Sequence, residues 1–200
     1  MFDRPLQPST SLTGTFDLEE LVAGYPSHYL VKGMFCSRIV DMLGGEYEAI
    51  ESKLIAAPRA GRYLPFKDYP ASDYTRLVVA AAQKQFPHLP LCESTRRLAR
   101  DDFRTFAGST WGKVALTLVA DPRSALLRMP EAYARAAPGP ELHAEVIEAR
   151  TVRMSLVRYR GLVEYMLGQF EGIVMMYGRT PSVVIHRVSN DILNFDVDHG

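Results

Sequence analysis

The chain has almost nothing to staple itself with and no excess of charge. Two cysteines, Cys36 and Cys92, occur in 200 residues, far apart and in no motif. That excludes a disulfide scaffold and fits a reducing compartment, so the expected location is cytoplasmic, with both thiols acting as small hydrophobes. Lysine plus arginine and aspartate plus glutamate each number 23, so the formal net charge is zero. A generic nucleic-acid or anionic-membrane binder carries a surplus of cations, and here only local patches are compatible with the balance. No run approaches the roughly 20 apolar residues of a membrane span. The opening "MFDRPLQPSTSLTG" lacks the apolar centre of a secretory signal.

Chemical motifs are equally scarce. There is no Walker loop and no GxGxxG. Structural zinc takes four ligands in paired spacings, which are missing. His88 with Cys92 and Glu93, and Asp196 with Asp198 and His199, read as surface or tail residues, so no metal is expected. Cys36 and Cys92 fall on apolar helical faces with no histidine motif beside them, which excludes a nucleophile of the cysteine–histidine kind. Asp101-Asp102 and Glu145/Glu148 are carboxylate pairs that nothing places in a cleft. No catalytic set is expected.

What is present is an ordinary globular composition, 47% hydrophobic and 23% charged. Residues 1–15, rich in Pro, Ser and Thr, read as a flexible arm. Residues 16–200 read as one α+β domain, helical over 16–139 and mainly sheet over 140–198. Asp17 and Glu20 in "FDLEEL" open a short helix by a capping box. "HYLVKG" reads as extended. "MFCSRIVDML" puts Cys36, Ile39, Val40 and Leu43 on one helical face, and Gly44-Gly45 stops it. Ser72 or Asp73 is placed to cap a helix carrying Tyr74, Leu77, Val78, Ala81 and Ala82. "PLCESTRRLARDDFRTFAGS" gives a stripe of Leu91, Leu98, Phe103 and Phe106. "TWGKVALTLVA" reads as a short apolar helix. Asp121-Pro122 starts another, which Pro130 is expected to break or restart.

The period then changes from helical to alternating. "LHAEVIEA", "TVRMSLVRY", "SVVIHRV" and "ILNFDV" have strand character, and a helix lies between the second and third. The expected fold is a helical layer on a four-stranded antiparallel sheet in ββαββ order. The intervening helix, read as about 161–177, carries Gly161, Gly168 and Gly172, each costing roughly 1 kcal/mol against alanine. Its bulky residues, among them Met166, Phe170 and Tyr177, lie on the other face. Either the glycine face is pressed against a neighbouring backbone, or some glycines bend the helix or sit near its ends.

"VKGMFCS", "FKDYPASDY", "FPHLPLCESTRRLARDDFRTFAGSTWGK", "DPRSALLRMPEAY" and "YMLGQFEGIVMMYG" resemble an uncharacterised paralogous family found mainly in myxobacteria, over residues 16–197. More remotely, the ββαββ end with "GQFEG" in its helix is similar to ligand-binding domains of the 4-vinyl-reductase type. Those are grouped with haem-nitric-oxide-binding domains and TRAPP vesicle-tethering subunits. The resemblance implies an apolar cavity between helices and sheet, and often a dimer. A haem relative needs a proximal histidine and Tyr-x-Ser-x-Arg. Here Arg153 stands two places before Ser155, and the next arginine past it is Arg158, at the wrong spacing. His88 and His186 have no partner motif.

The sites expected from this reading are a pocket drawn from Phe103, Phe106, Trp111, Met166, Phe170 and Tyr177, and a stripe of Arg96, Arg100 and Arg104. The stripe is placed either for an anion or partner, or for salt bridges with Glu93 and Asp101. The expected function is a non-enzymatic module of bacterial signalling that binds an apolar small molecule or a protein partner. A homodimerisation scaffold with a self-filled core is the second reading, and a haem gas sensor the third. No cofactor and no nucleic acid are expected.

Overall fold

The computed structural model describes residues 5–6, 16–108 and 119–200. The short helix expected at "TWGKVALTLVA" and most of the expected arm lie outside them. Asp17 Oδ1 accepts from the Glu19 and Glu20 amides at 2.8 and 3.1 Å and so starts α1 (Leu18–Ala23). Strand β2 (Leu30–Lys32) leads directly into α2 (Gly33–Leu43), which buries Cys36, Ile39 and Leu43. Gly44, at φ 52°, ends it in a conformation that glycine adopts freely. Helix α3 (Tyr47–Glu51) and a long loop return to β3 (Asp68–Pro70), which pairs antiparallel with β2.

Helix α4 (Ala71–Gln85) starts without a side-chain cap. The expectation for Asp73 needs correcting. It is fully buried, and its two carboxylate oxygens accept from the Ile55 and Ala56 amides at 2.8 Å each. It therefore ties the preceding loop to the helix instead of capping the helix. Helix α5 (Leu91–Gly108) follows, then α6 (Pro122–Ala136), capped by Asp121 through the Ser124 amide at 2.8 Å. Pro130 does not break α6, which runs through it. A proline removes one intrahelical bond, and packing of a buried face outweighs that loss.

The C-terminal part is β4 (Glu141–Glu148), β5 (Thr151–Val157), α7 (Val163–Met176), β6 (Ser182–Arg187) and β7 (Ile192–Asp198). These strands form an antiparallel sheet in the order β6-β7-β5-β4. The two-residue β1 (Pro5–Leu6) adds to the β6 edge. Val152, Met154 and Leu156 of β5 and Leu193, Phe195 and Val197 of β7 share the buried face. Phe170 of α7 meets Phe195 edge-on at 5.1 Å, a contact worth about 1 kcal/mol beyond area burial.

Two cores result. One lies between the sheet and α5, α6 and α7, and the other between β2, α2, α4 and the loop at Tyr63. Leu162 and Tyr165 from the C-terminal part belong to the second core, so the two halves interlock there.

Candidate functional site

The seam between the cores holds a cavity of about 90 Å³. Its walls come from the loop after α1 (Tyr25, Tyr29), α4 (Tyr74, Thr75, Val78), α6 (Tyr133) and the 158–162 loop with the start of α7 (Tyr159, Tyr165, Met166). Six of the chain's ten tyrosines line it. At roughly 30 Å³ per liquid water, the space suits about three waters or one small organic molecule.

Five of the six phenols are tied to protein. Tyr25 shares a 2.6 Å hydrogen bond with Thr75. Tyr29 donates to the Arg158 carbonyl, and Tyr159 donates to the Leu162 carbonyl at 3.1 Å. Tyr74 and Tyr165 share a 2.7 Å bond, and Tyr165 donates onward to Asp102 Oδ2 at 2.8 Å. Asp102 forms an ion pair with Arg38 of α2, 2.7 Å from Nε. Among the described residues, Tyr133 is the one tyrosine of the six whose hydroxyl has no hydrogen bond.

Burial pushes these phenols up: Tyr25 to about 12, and Tyr74, Tyr133, Tyr159 and Tyr165 well above the ordinary range. They are neutral across physiological pH. Burial also raises the Asp102 carboxyl, against the opposing pull of Arg38 and Tyr165. The cavity is thus uncharged, apolar over most of its wall, and edged with hydroxyls.

The pocket expectation requires correction residue by residue. Met166 lines this cavity. Phe103 and Phe170 pack in the sheet-side core, because the α7 face that carries Phe170 is turned to the sheet. Tyr177 packs at the edge of that core and donates to the Val119 carbonyl at 3.3 Å. Trp111 and the Phe106 side chain lie outside the described residues.

The three glycines act in two different places. A Cβ on Gly168 would collide with the Arg96 carbonyl of α5, and one on Gly172 would sit 2.9 Å from the Arg100 carbonyl. These two glycines let α7 lie directly against the α5 backbone. Gly161 precedes α7 instead of belonging to it, and a Cβ there would meet the Tyr159 ring. Its bareness makes room for a cavity wall.

Of the two expectations for the arginine stripe, the salt-bridged one describes Arg96, which lies 3.9 Å from Glu93, but the main counter-charge comes from another helix. Arg96 and Arg100 both grip Glu171, a buried carboxylate on α7 between the two glycines. Arg96 binds it with Nε at 3.0 Å and with a second nitrogen, and Arg100 binds it at 2.8 Å. The stripe faces a helix that comes close enough to supply its counter-charge. The Arg104 side chain lies outside the described residues.

Sequence reasoning missed the tyrosines because they are spread from position 25 to position 165. Tyr25, Tyr29 and Tyr159 stand in loops, and the other three stand on three different helices. The usable signal was their number, ten, in a chain with nine phenylalanines.

The fold, a helical layer on a ββαββ sheet, is similar to that of H-NOX proteins of known structure. An H-NOX protein from S. oneidensis in the Fe(II)NO ligation state is similar at 14% identity and a TM-score of 0.66, covering 84% of this chain and 98% of that one. An Fe(II) unliganded mutant of an H-NOX protein from K. algicida is similar at 15% identity and a TM-score of 0.63, covering 84% and 95%. A point mutant of the T. tengcongensis H-NOX gives 17%, 0.59, 83% and 93%. No curated protein matches. The family model that matches residues 26–198 is described as "Protein of unknown function (DUF2378)", and the chain belongs to that family.

Proposed function

We propose that this chain is a non-enzymatic sensory module that takes a small neutral ligand into the tyrosine-lined cavity and relays its presence between the two cores. The observation that carries the reading is the seam position of the cavity, with Tyr133 on its wall and its hydroxyl without a hydrogen bond among the described residues. A ligand there touches α4 of one core and α6 and α7 of the other. It biases whichever relative placement of the two halves binds it better. Its chemistry follows from the wall: an uncharged body of a few heavy atoms with one polar group facing Tyr133. The fold shared with H-NOX proteins, one of them described in an NO-ligated state, supports the same class of role.

A haem does not fit the residues present. A structural neighbour is described as probing haem distortion in the H-NOX family, but this cavity is several times smaller than the roughly 300–1,000 Å³ of ordinary ligand pockets. Among the described residues no histidine or cysteine lines it, and α6 contains neither. Met166 is the sole sulfur on the wall among the described residues. Ligation by tyrosine needs a phenolate, which burial opposes at each of the five raised tyrosines. Arg158 is held by Glu141.

The test is thermal unfolding in the presence of small neutral alcohols and phenols, with native mass spectrometry of the protein as isolated. A ligand at a hundred times its dissociation constant adds about 2.7 kcal/mol. For a chain of this length that raises the midpoint by roughly 5–11 °C. Ala137→Leu, which adds bulk to the cavity wall, abolishes the shift while the variant stays folded. If no compound shifts the midpoint and the isolated protein carries none, the scaffold reading replaces this one.

A further inference from the structure

We propose a second binding surface, independent of the cavity: the loop between α3 and β3 docks on an anionic phospholipid surface. Residues 52–67, "SKLIAAPRAGRYLPFK", hold Lys53, Arg59, Arg62 and Lys67 and no acidic residue, in a chain whose net charge is zero. The same stretch shows three large apolar side chains to solvent: Ile55 is 79% exposed, Leu64 61% and Phe66 65%. Leu64, Pro65, Phe66 and Lys67 are exposed in succession. Scattered exposed apolar residues need no explanation, but a cluster in one cationic segment does.

This loop is built, not slack. Buried Asp73 holds the Ile55 and Ala56 amides. Tyr63 is buried against Tyr69 at 4.7 Å, and the Leu64 amide donates to the Tyr69 hydroxyl at 3.0 Å. The Met34 and Gly33 amides donate to the Pro65 and Lys67 carbonyls at 3.1 and 2.9 Å. The backbone is fixed from within while the apolar side chains are turned outward. Arg59 and Arg62 form no ion pair among the described residues. Lys67 lies over the Tyr69 ring at 5.4 Å.

A pre-ordered loop loses little entropy on docking. Apolar side chains flanked by cations match the boundary between acyl chains and anionic headgroups. A protein partner is the weaker fit, because a standard interface takes roughly 800 Å² per side, more than three side chains provide.

The experiment is co-sedimentation of the full chain with vesicles of phosphatidylcholine alone and of phosphatidylcholine with about one-quarter phosphatidylserine. The chain pellets with the second and not the first, and added salt releases it. Each cation removed weakens binding by about fivefold, so Arg59→Gln with Arg62→Gln gives about twenty-five-fold. Ile55→Ser with Leu64→Ser weakens binding with the thermal midpoint unchanged, since both side chains are largely exposed. Equal pelleting with both vesicles, no pelleting with either, or an unaffected Ile55/Leu64 variant overturns the proposal. In the second case the surface belongs to an acidic protein partner.

Discussion

Gly168 of α7 lies directly beneath the Arg96 carbonyl of α5, so close that a single added carbon has no room. The residue on the far side of that contact, Arg96, then reaches around to Glu171 one turn along α7. Close backbone approach and the ion cluster are two parts of one joint. The glycines bring the helices together, and that closeness buries the carboxylate that the arginines must satisfy.

Gly168→Ala should therefore destabilise the protein despite the better helix propensity of alanine. The propensity gain is about 1 kcal/mol, while overpacking costs about 1–3 kcal/mol and more against backbone. The net expectation is a loss of about 2 kcal/mol, with a smaller loss for Gly172→Ala. Urea unfolding of the two variants checks the order.

Glu171→Gln leaves two half-buried guanidiniums facing a neutral amide. Removing one partner of a buried pair costs about 3–5 kcal/mol, and the partial exposure of both arginines discounts that to about 2–3 kcal/mol here. Arg97→Gln, whose guanidinium stacks on Phe86, should cost well under half as much. A larger effect at Arg97 than at Glu171 would contradict the assignment of the joint.

Asp102 gives a pH signature. Its carboxyl is raised above 3.8 in the folded state, mainly by burial. The folded chain thus holds that proton more tightly than the unfolded chain. The associated stability is present below the ordinary carboxylate range and is lost as pH rises through the raised value. The stability difference between wild type and Asp102→Asn should accordingly shrink with rising pH across that window. Denaturant titrations at several pH values measure it, and a difference that grows with pH would be the wrong sign.

Neither thiol should react with a disulfide reagent in the native protein. Cys36 is wholly buried and its thiol is pushed up to about 12, and Cys92 is buried too. Labelling at pH 8 should follow global unfolding, with both cysteines modified together. Fast labelling of one would mean that its helix opens locally.

Asp73→Ala should loosen the basic loop before it affects the cavity. Two charge-assisted bonds to backbone amides are lost, worth about 2–4 kcal/mol together. Hydrogen exchange should quicken at Ile55 and Ala56 while the amides of β5 and β7 stay protected.

Much of this architecture was legible in the residues. Alternation in "TVRMSLVRY" and "ILNFDV" marked β5 and β7 because one face of each strand is apolar and buried while the other carries polar residues. Asp121-Pro122 marked the start of α6 because capping is a local matter. The failures were at residues whose role depends on distant partners. Asp73 looked like a cap because sequence shows its neighbours and not Ile55, eighteen places back. The arginine stripe was legible as an anion site or a salt-bridged face with Glu93 and Asp101, but its main partner was not, because Glu171 stands more than seventy residues away. The cavity was hidden for the same reason, since its wall draws on four separate segments.

One edge of the sheet has a bearing on how this protein behaves when crowded. The β6 edge is occupied by Pro5 and Leu6, whereas β4 pairs only with β5 among the described residues and shows Glu145 and Glu148 to water. Were a second copy to zip onto that border, acid would confront acid, with His143 the lone imidazole nearby. The molecule carries its own deterrent to fibril growth on the side where backbone groups would otherwise invite it.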